Sequence, residues 1–195
     1  MNLNIFEKTM VNELKETLGG EQKAFSYQLP DSEFKLDVLV AKNSPSRNYL
    51  TASTLGLVNR TTGYKNSESG KDIRAEIIMS SYGGTDMIAK ILTTTGVGIF
   101  KANIMYGYGT ALKGVLEDYL PDSDMKHLFL MNPPPIWEKK FKAAELENDH
   151  ITFLYALPIS QAELEFMSEN GIDALQDKFV EVNIDMFDLE RKSIF

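Results

Sequence analysis

Residues 150–167 read His150-Ile151-Thr152-Phe153-Leu154-Tyr155-Ala156-Leu157-Pro158-Ile159-Ser160-Gln161-Ala162-Glu163-Leu164-Glu165-Phe166-Met167, and the spacing of their apolar side chains changes at Ser160. Before it, Ile151, Phe153, Tyr155 and Leu157 alternate, which predicts a strand over residues 150–157. At Ser160 and Glu163 the sequence forms a capping box. The hydroxyl accepts the backbone N–H of the third helical residue, and the carboxylate accepts the N–H of the cap. Ile159 and Leu164 stand where a hydrophobic staple needs them, and Leu164, Phe166 and Met167 give the helix a buried side. Asn170-Gly171 closes this helix, and residues 172–179 form another.

Working outward, Ile5, Met10, Val11, Leu14 and Leu18 repeat at helical spacing before Gly19-Gly20, so residues 4–18 read as an amphipathic helix. Phe34, Leu36, Val38 and Val40 alternate with Lys35, Asp37 and Leu39, a strand buried mainly on one face. The turn Asn43-Ser44-Pro45-Ser46 leads to a second strand over residues 49–57, giving an antiparallel hairpin. Residues 59–72 are polar and Gly-containing, hence a loop. A third strand is expected over 73–81 and a fourth over 125–131, the latter stopped by Pro133-Pro134-Pro135. Between them Asp86 caps a helix carrying Met87, Ile88, Ile91 and Leu92, and the Thr- and Gly-rich run 93–98 weakens it. Tyr106-Gly107-Tyr108-Gly109 is a turn, and residues 137–147 are a short helix or a loop. These elements predict one α+β domain over residues 1–195, a mixed α/β sandwich. A central, mostly antiparallel sheet of about five strands carries helices packed on it.

The 195-residue length suits one domain of about 100–200 residues, and 43% hydrophobic residues supply its core without staples. Cysteine is absent, which excludes disulfides, thiolate metal sites and Cys nucleophiles and points to a reducing compartment. The first residues lack a basic segment followed by an apolar run, and apolar stretches such as 77–79 and 151–157 are too short to span a bilayer. A soluble, cytoplasmic protein with no membrane partner is expected. The net charge of −8 is unevenly placed: residues 1–143 hold 17 Lys/Arg against 16 Asp/Glu, residues 144–195 only 3 against 12. Such an acidic end repels phosphates, arguing against direct nucleic-acid binding, and attracts a basic partner. The plainer alternative is a solvated face that aids solubility.

No catalytic apparatus emerges. His127 and His150 lack a second histidine at ligand spacing, and the His-Glu-x-x-His pattern is missing, so each reads as a hydrogen-bonded core or edge imidazole. There is no Gly-x-Ser-x-Gly elbow, and Gly70-Lys71-Asp72 lacks the hydroxyl of a phosphate loop. Gly96-Val97-Gly98 and Gly107-Tyr108-Gly109 are only fragments of a dinucleotide fingerprint. Neighbouring acids such as Asp122/Asp124 and Glu163/Glu165 read as solvated. The chain is therefore read as a non-enzyme without metal or cofactor. Recognition remains: Glu165, Glu169, Asp173 and Asp177 recur every four residues, interrupted by Gly171, as two short acidic helix faces. Tyr106 and Tyr108 sit in a turn where large rings become either core pegs or contact residues. These six are the candidate partner-binding residues.

The run Phe153-Leu154-Tyr155-Ala156-Leu157-Pro158-Ile159-Ser160-Gln161-Ala162-Glu163-Leu164-Glu165-Phe166, with Gly171-Ile172-Asp173-Ala174-Leu175 after it, resembles the C-terminal signature of the suppressor-of-fused (SUFU) domain family. That signature is an apolar strand, Pro, a few polar residues, Glu-Leu-Glu-Phe, then Gly-x-x-Ala-Leu. Lys35-Leu36-Asp37-Val38-Leu39-Val40 resembles the family's first strand and Arg74-Ala75-Glu76-Ile77-Ile78-Met79 its third. Gly107-Tyr108-Gly109 resembles a Gly-aromatic-Gly turn that often precedes a His. Thr110 stands there instead, so a role tied to that His is not carried over. The likeness covers about residues 30–180 and implies a mixed α/β domain that binds protein segments without catalysis. The length and the ending Phe187-Asp188-Leu189-x-Arg191-x-Ser193 resemble the bacterial, Bacillus-type branch, whose members are immunity proteins against LXG-type polymorphic toxins, some of them nucleases. The resemblance thus implies an antitoxin whose partner is a basic nuclease toxin, a DNase. The alternative is a regulatory scaffold that holds a transcription factor or another protein segment.

Overall fold

The computed structural model describes residues 3–30, 34–83 and 87–195. In chain order it contains α1 (Ile5–Leu18), β1 (Glu21–Gln28), β2 (Lys35–Lys42), β3 (Tyr49–Leu55), a 3-10 turn (Leu57–Asn59), β4 (Asp72–Tyr82), α2 (Met87–Lys101) and β5 (Ala111–Leu112). There follow β6 (Met125–Met131), β7 (Ala144–Glu145), β8 (Asp149–Ser160), α3 (Gln161–Asn170) and α4 (Ile172–Glu181). The strands form one sheet in the order β1-β2-β3-β4-β8-β6-β5, with β7 pairing on β8. β4 and β8 run parallel, and the other pairs are antiparallel. A parallel neighbour needs a crossover, and the chain between β4 and β8 supplies it through α2 and the β5–β6 region.

The sheet is covered on both sides. Leu36, Val38, Val40, Ile77, Met79, Leu128, Leu130, Leu154 and Ala156 pack with α2 through Ile88, Ile91 and Leu92. The alternate residues Leu39, Ala41, Ile78, Phe129, Phe153, Tyr155 and Leu157 pack with Met10, Leu14 and Leu18 of α1, Leu164 of α3 and Phe179 of α4. That explains the near-continuous apolar runs in β4 and β8, because a strand buried on both faces has no polar side to alternate with.

The α+β class agrees with the sequence expectation, but the sheet has eight strands rather than about five. The extra strands are β1, β5 and β7. β1 is exposed on both faces along nearly its whole length, so its sequence carries no buried alternation. β5 and β7 have two residues each, too short for any period. β2, expected to be buried on one face, is buried on both because α1 covers Leu39 and Ala41.

α2 continues through residues 93–98. Thr93 and Thr95 donate their hydroxyls to the carbonyls of Ala89 and Ile91, each at 2.8 Å. At Gly96 a Cβ would lie 2.6 Å from Leu36 Cδ2, so the glycine marks close helix–sheet packing. The cap expected at Asp86 lies outside the described residues. Residues 137–147 form no helix: the chain there is irregular, anchored by buried Trp137, whose indole N–H donates to Ser44 Oγ at 3.2 Å, and it ends in β7.

Candidate functional site

The C-terminal tail holds the α3–α4 pair against the sheet. Ser160 and Glu163 form the capping box, with Glu163 N donating to Ser160 Oγ and Ser160 N to Glu163 Oε2, both at 3.0 Å. Glu163 is fully buried, and the Arg191 guanidinium meets both its oxygens, at 2.6 and 2.8 Å. Arg191 also donates to the carbonyl of Pro158 at 3.0 Å and lies over the Phe179 ring, 5.3 Å from its centroid. Ile194 N donates to Glu163 Oε1 at 3.2 Å, and Ser193 Oγ lies 2.7 Å from Ser160 Oγ. One carboxylate thus caps α3 and receives the tail, making the helix pair a firm platform.

The outer side of that platform carries the acidic residues. Glu165 and Glu169 on α3 and Asp173 and Asp177 on α4 are exposed. Glu165 accepts from Gln161 Nε2 at 2.7 Å, and none of the four forms an ion pair with a described residue. Other acids of the same quarter are paired: Asp149 with Arg74 at 2.6 Å, Glu145 with Lys71 at 3.0 Å, Glu181 with Lys178 at 2.6 Å. Half of this quarter's eight acids without an ion pair to a described residue therefore lie on α3 and α4, and the others are Glu147, Asp185, Asp188 and Glu190.

The two tyrosines part company. Tyr108 is 46% exposed, and its hydroxyl donates to Gln176 Oε1 at 3.2 Å, which places it beside α4. The turn can come this close because Gly109 has φ +85° and a Cβ there would lie 2.3 Å from Ile172 Cδ1. Tyr106 is fully buried among the α2-side core residues, and its hydroxyl donates to the carbonyl of Ala75 at 2.9 Å. It is a core peg, which corrects its place among the contact candidates, and burial pushes its phenol pKa up.

The sequence did not single out the groove next to this face. Met131, Leu157, Phe179, Val180, Ile184 and Met186 line a cleft of about 400 Å³. Val180 is 80% exposed, the largest exposure among the large apolar side chains described. The available signal was Val180 and Val182 directly after Phe179, where an amphipathic helix end should turn polar.

The groups with catalytic potential have structural partners. Gly114 N donates to His127 Nδ1 at 2.9 Å, so Nε2–H donates to Gln161 Oε1, 2.8 Å away. His150 bonds Glu145 through Nδ1, and this contact, followed by Lys71, holds the Glu145 carboxyl below the usual range. Glu76, fully buried, accepts from Thr54 Oγ1 at 2.5 Å, Gly56 N at 2.7 Å and Val58 N at 3.1 Å, pinning the turn after β3 to β4. Among the described residues no group of three or more His, Asp or Glu side chains is placed to hold a metal ion. No helix among them is long and apolar enough to cross a membrane.

The fold and this face define a class: an α+β protein with exposed carboxylates on a helix pair beside a largely apolar cleft. The suppressor of fused protein (SUFU) family profile matches residues 32–192, and the chain belongs to that family. It is 31% identical over 187 residues to the immunity protein YqcF of Bacillus subtilis (strain 168), covering 96% of each chain. The fold is shared with a SUFU homologue from Neisseria gonorrhoeae FA 1090 at a TM-score of 0.69 and 18% identity, covering 96% of both chains. It is also shared with a chain of the Sufu–Fu complex at a TM-score of 0.64 and 13% identity, covering 97% of this chain and 92% of that one. Against Drosophila Suppressor of Fused the TM-score is 0.57 at 13% identity, and this chain spans 43% of that longer one.

Proposed function

We propose that this protein is an immunity protein: it binds a cognate secreted toxin, a basic nuclease domain of DNase type, and neutralises it by stoichiometric protein–protein contact. The observation that carries this reading is the set of four exposed, ion-pair-free carboxylates on the α3–α4 platform. Exposed charge left uncompensated and concentrated on one rigid face attracts an oppositely charged partner and speeds its encounter. The likeness to a Bacillus subtilis immunity protein along almost the whole chain supports the same reading.

The test is co-expression with an LXG-type toxin encoded beside this gene. The toxin alone arrests growth, this chain relieves the arrest, and the two co-purify at one-to-one stoichiometry. Purified alone, this chain shows no nuclease or hydrolase turnover, with or without divalent metal. Arrest that persists despite co-expression, with no complex, refutes the reading. Capture of a transcription factor or kinase instead would favour the scaffold role.

A further inference from the structure

We infer that the cleft beside α4 is the anchor pocket of the docking face: it receives one aliphatic or aromatic side chain projecting from a basic surface of the partner. This rests on the proposal that the partner is a basic protein, and it adds where and how that partner is held. Six of the eight lining side chains, Met131, Leu157, Phe179, Val180, Ile184 and Met186, are apolar, the other two, Gln176 and Asn183, are uncharged, and the cleft of about 400 Å³ lies within the roughly 300–1,000 Å³ typical of binding clefts. Methionine suits such a place because its unbranched, polarisable side chain repacks around differently shaped insertions.

The cleft and the charges share one helix face. Asp173, Gln176, Asp177 and Val180 stand at i, i+3, i+4 and i+7 of α4, so both carboxylates border the row that ends at the exposed valine. After Val180 the chain turns sharply. Asn183 adopts φ 49°, Val182 N donates to the carbonyl of Lys178 and Ile184 N to that of Phe179, and the tail returns with Ile184 and Met186 along the far wall. Val180 at 80% and Val182 at 51% exposure lie where a helix end normally turns polar, and the fold leaves both in water. An uncharged cleft with an acidic border matches a basic surface around an apolar knob, the arrangement in which charge guides encounter and a desolvated anchor sets residence time. A second copy of this chain is disfavoured as occupant, because a two-fold contact would set the acidic border against itself.

The test uses neutral substitutions, Val180→Asn and Val182→Asn, which leave net charge unchanged at exposed positions. Binding is measured by surface plasmon resonance against the toxin domain encoded next to this gene. Val180→Asn is expected to speed dissociation by about tenfold or more while association stays within about twofold. A wild-type complex whose dissociation neither variant alters overturns the anchor pocket and leaves the immunity reading standing. No wild-type complex at all overturns the immunity reading. The pocket is then judged by methyl NMR with a short peptide of one leucine flanked by lysines, against its glycine counterpart. Shifts at the Met131 and Met186 methyls that require both the leucine and Val180 uphold the pocket, and their absence overturns it. A dimer in sedimentation that Val180→Asn dissolves assigns the cleft to a second copy and overturns it as well.

Discussion

At the scale of single residues, the fold handles the two fully buried carboxylates among the described residues, Glu76 and Glu163, in different ways. Glu163 is matched by a bidentate guanidinium from Arg191. Glu76 forms no ion pair with a described residue and relies on the Thr54 hydroxyl and the amides of Gly56 and Val58. Burial outweighs those three hydrogen bonds and pushes the Glu76 pKa up to about 7, from 4.5. The folded chain therefore keeps this proton to about pH 7, whereas the unfolded chain releases it near pH 4.5. Between these values the folded state binds more protons. The stability owed to this proton is fully present below about pH 4.5 and is lost as pH rises through about 7. Glu76→Gln keeps an amide oxygen for the two backbone donors and removes the titration. Relative to that variant, the wild type should lose stability across this window, by at most on the order of 3 kcal/mol. Urea melts at several pH values check this, and a difference that does not change with pH would show that Glu76 stays ionised in the fold.

The element whose boundaries were most legible in the sequence is α3, because a capping box and a staple are local chemistry written in a few adjacent residues. The tail latch on the same cap was not legible, since Arg191 meets Glu163 only once the chain has folded back past α4. The two kinds of contact should differ in cost. Ser160→Ala removes a neutral cap and should cost roughly 0.5–2 kcal/mol. Arg191→Met leaves the Glu163 carboxylate buried without its counter-ion and should cost about 3–5 kcal/mol. Denaturant midpoints would rank the two variants, and the opposite order would mean that the cap, not the ion pair, holds the helix pair. β1 shows the reverse situation. Its residues Glu21–Gln28 form a full strand through pairing with β2 alone, so backbone register rather than side-chain pattern defines it. Among the contact candidates, the acidic spacing predicted outward-facing carboxylates and the structure exposes all four. The Tyr106-Gly107-Tyr108 turn could not reveal which ring enters the core, because that depends on where the turn lands relative to β4.

For the whole molecule, what stayed hidden in the sequence is long-range. The parallel pairing of β4 with β8, joining Asp72 to Asp149 and Ile78 to Tyr155, sets the hairpin half of the sheet beside the C-terminal half, and no local pattern specifies it. The charge division between residues 1–143 and 144–195 was legible as a count, but its location depended on which acids found partners. Pairing removes Asp149, Glu145, Glu163 and Glu181 from the excess, and of the eight acids it leaves, four lie exposed on α3 and α4. That face should govern encounter rather than residence. Reversing Glu165, Glu169 and Asp173 to Lys should slow association with the basic toxin domain by on the order of tenfold at low salt and flatten its dependence on salt concentration. Dissociation should change less, because the anchor side chains are untouched, and the fold should survive, because all three residues are exposed and free of ion pairs with described residues. Surface plasmon resonance over a salt series, with circular dichroism as the fold control, separates these effects. If the triple variant associates at the wild-type rate with the wild-type salt slope, the acidic platform only solvates the protein, and the partner docks elsewhere.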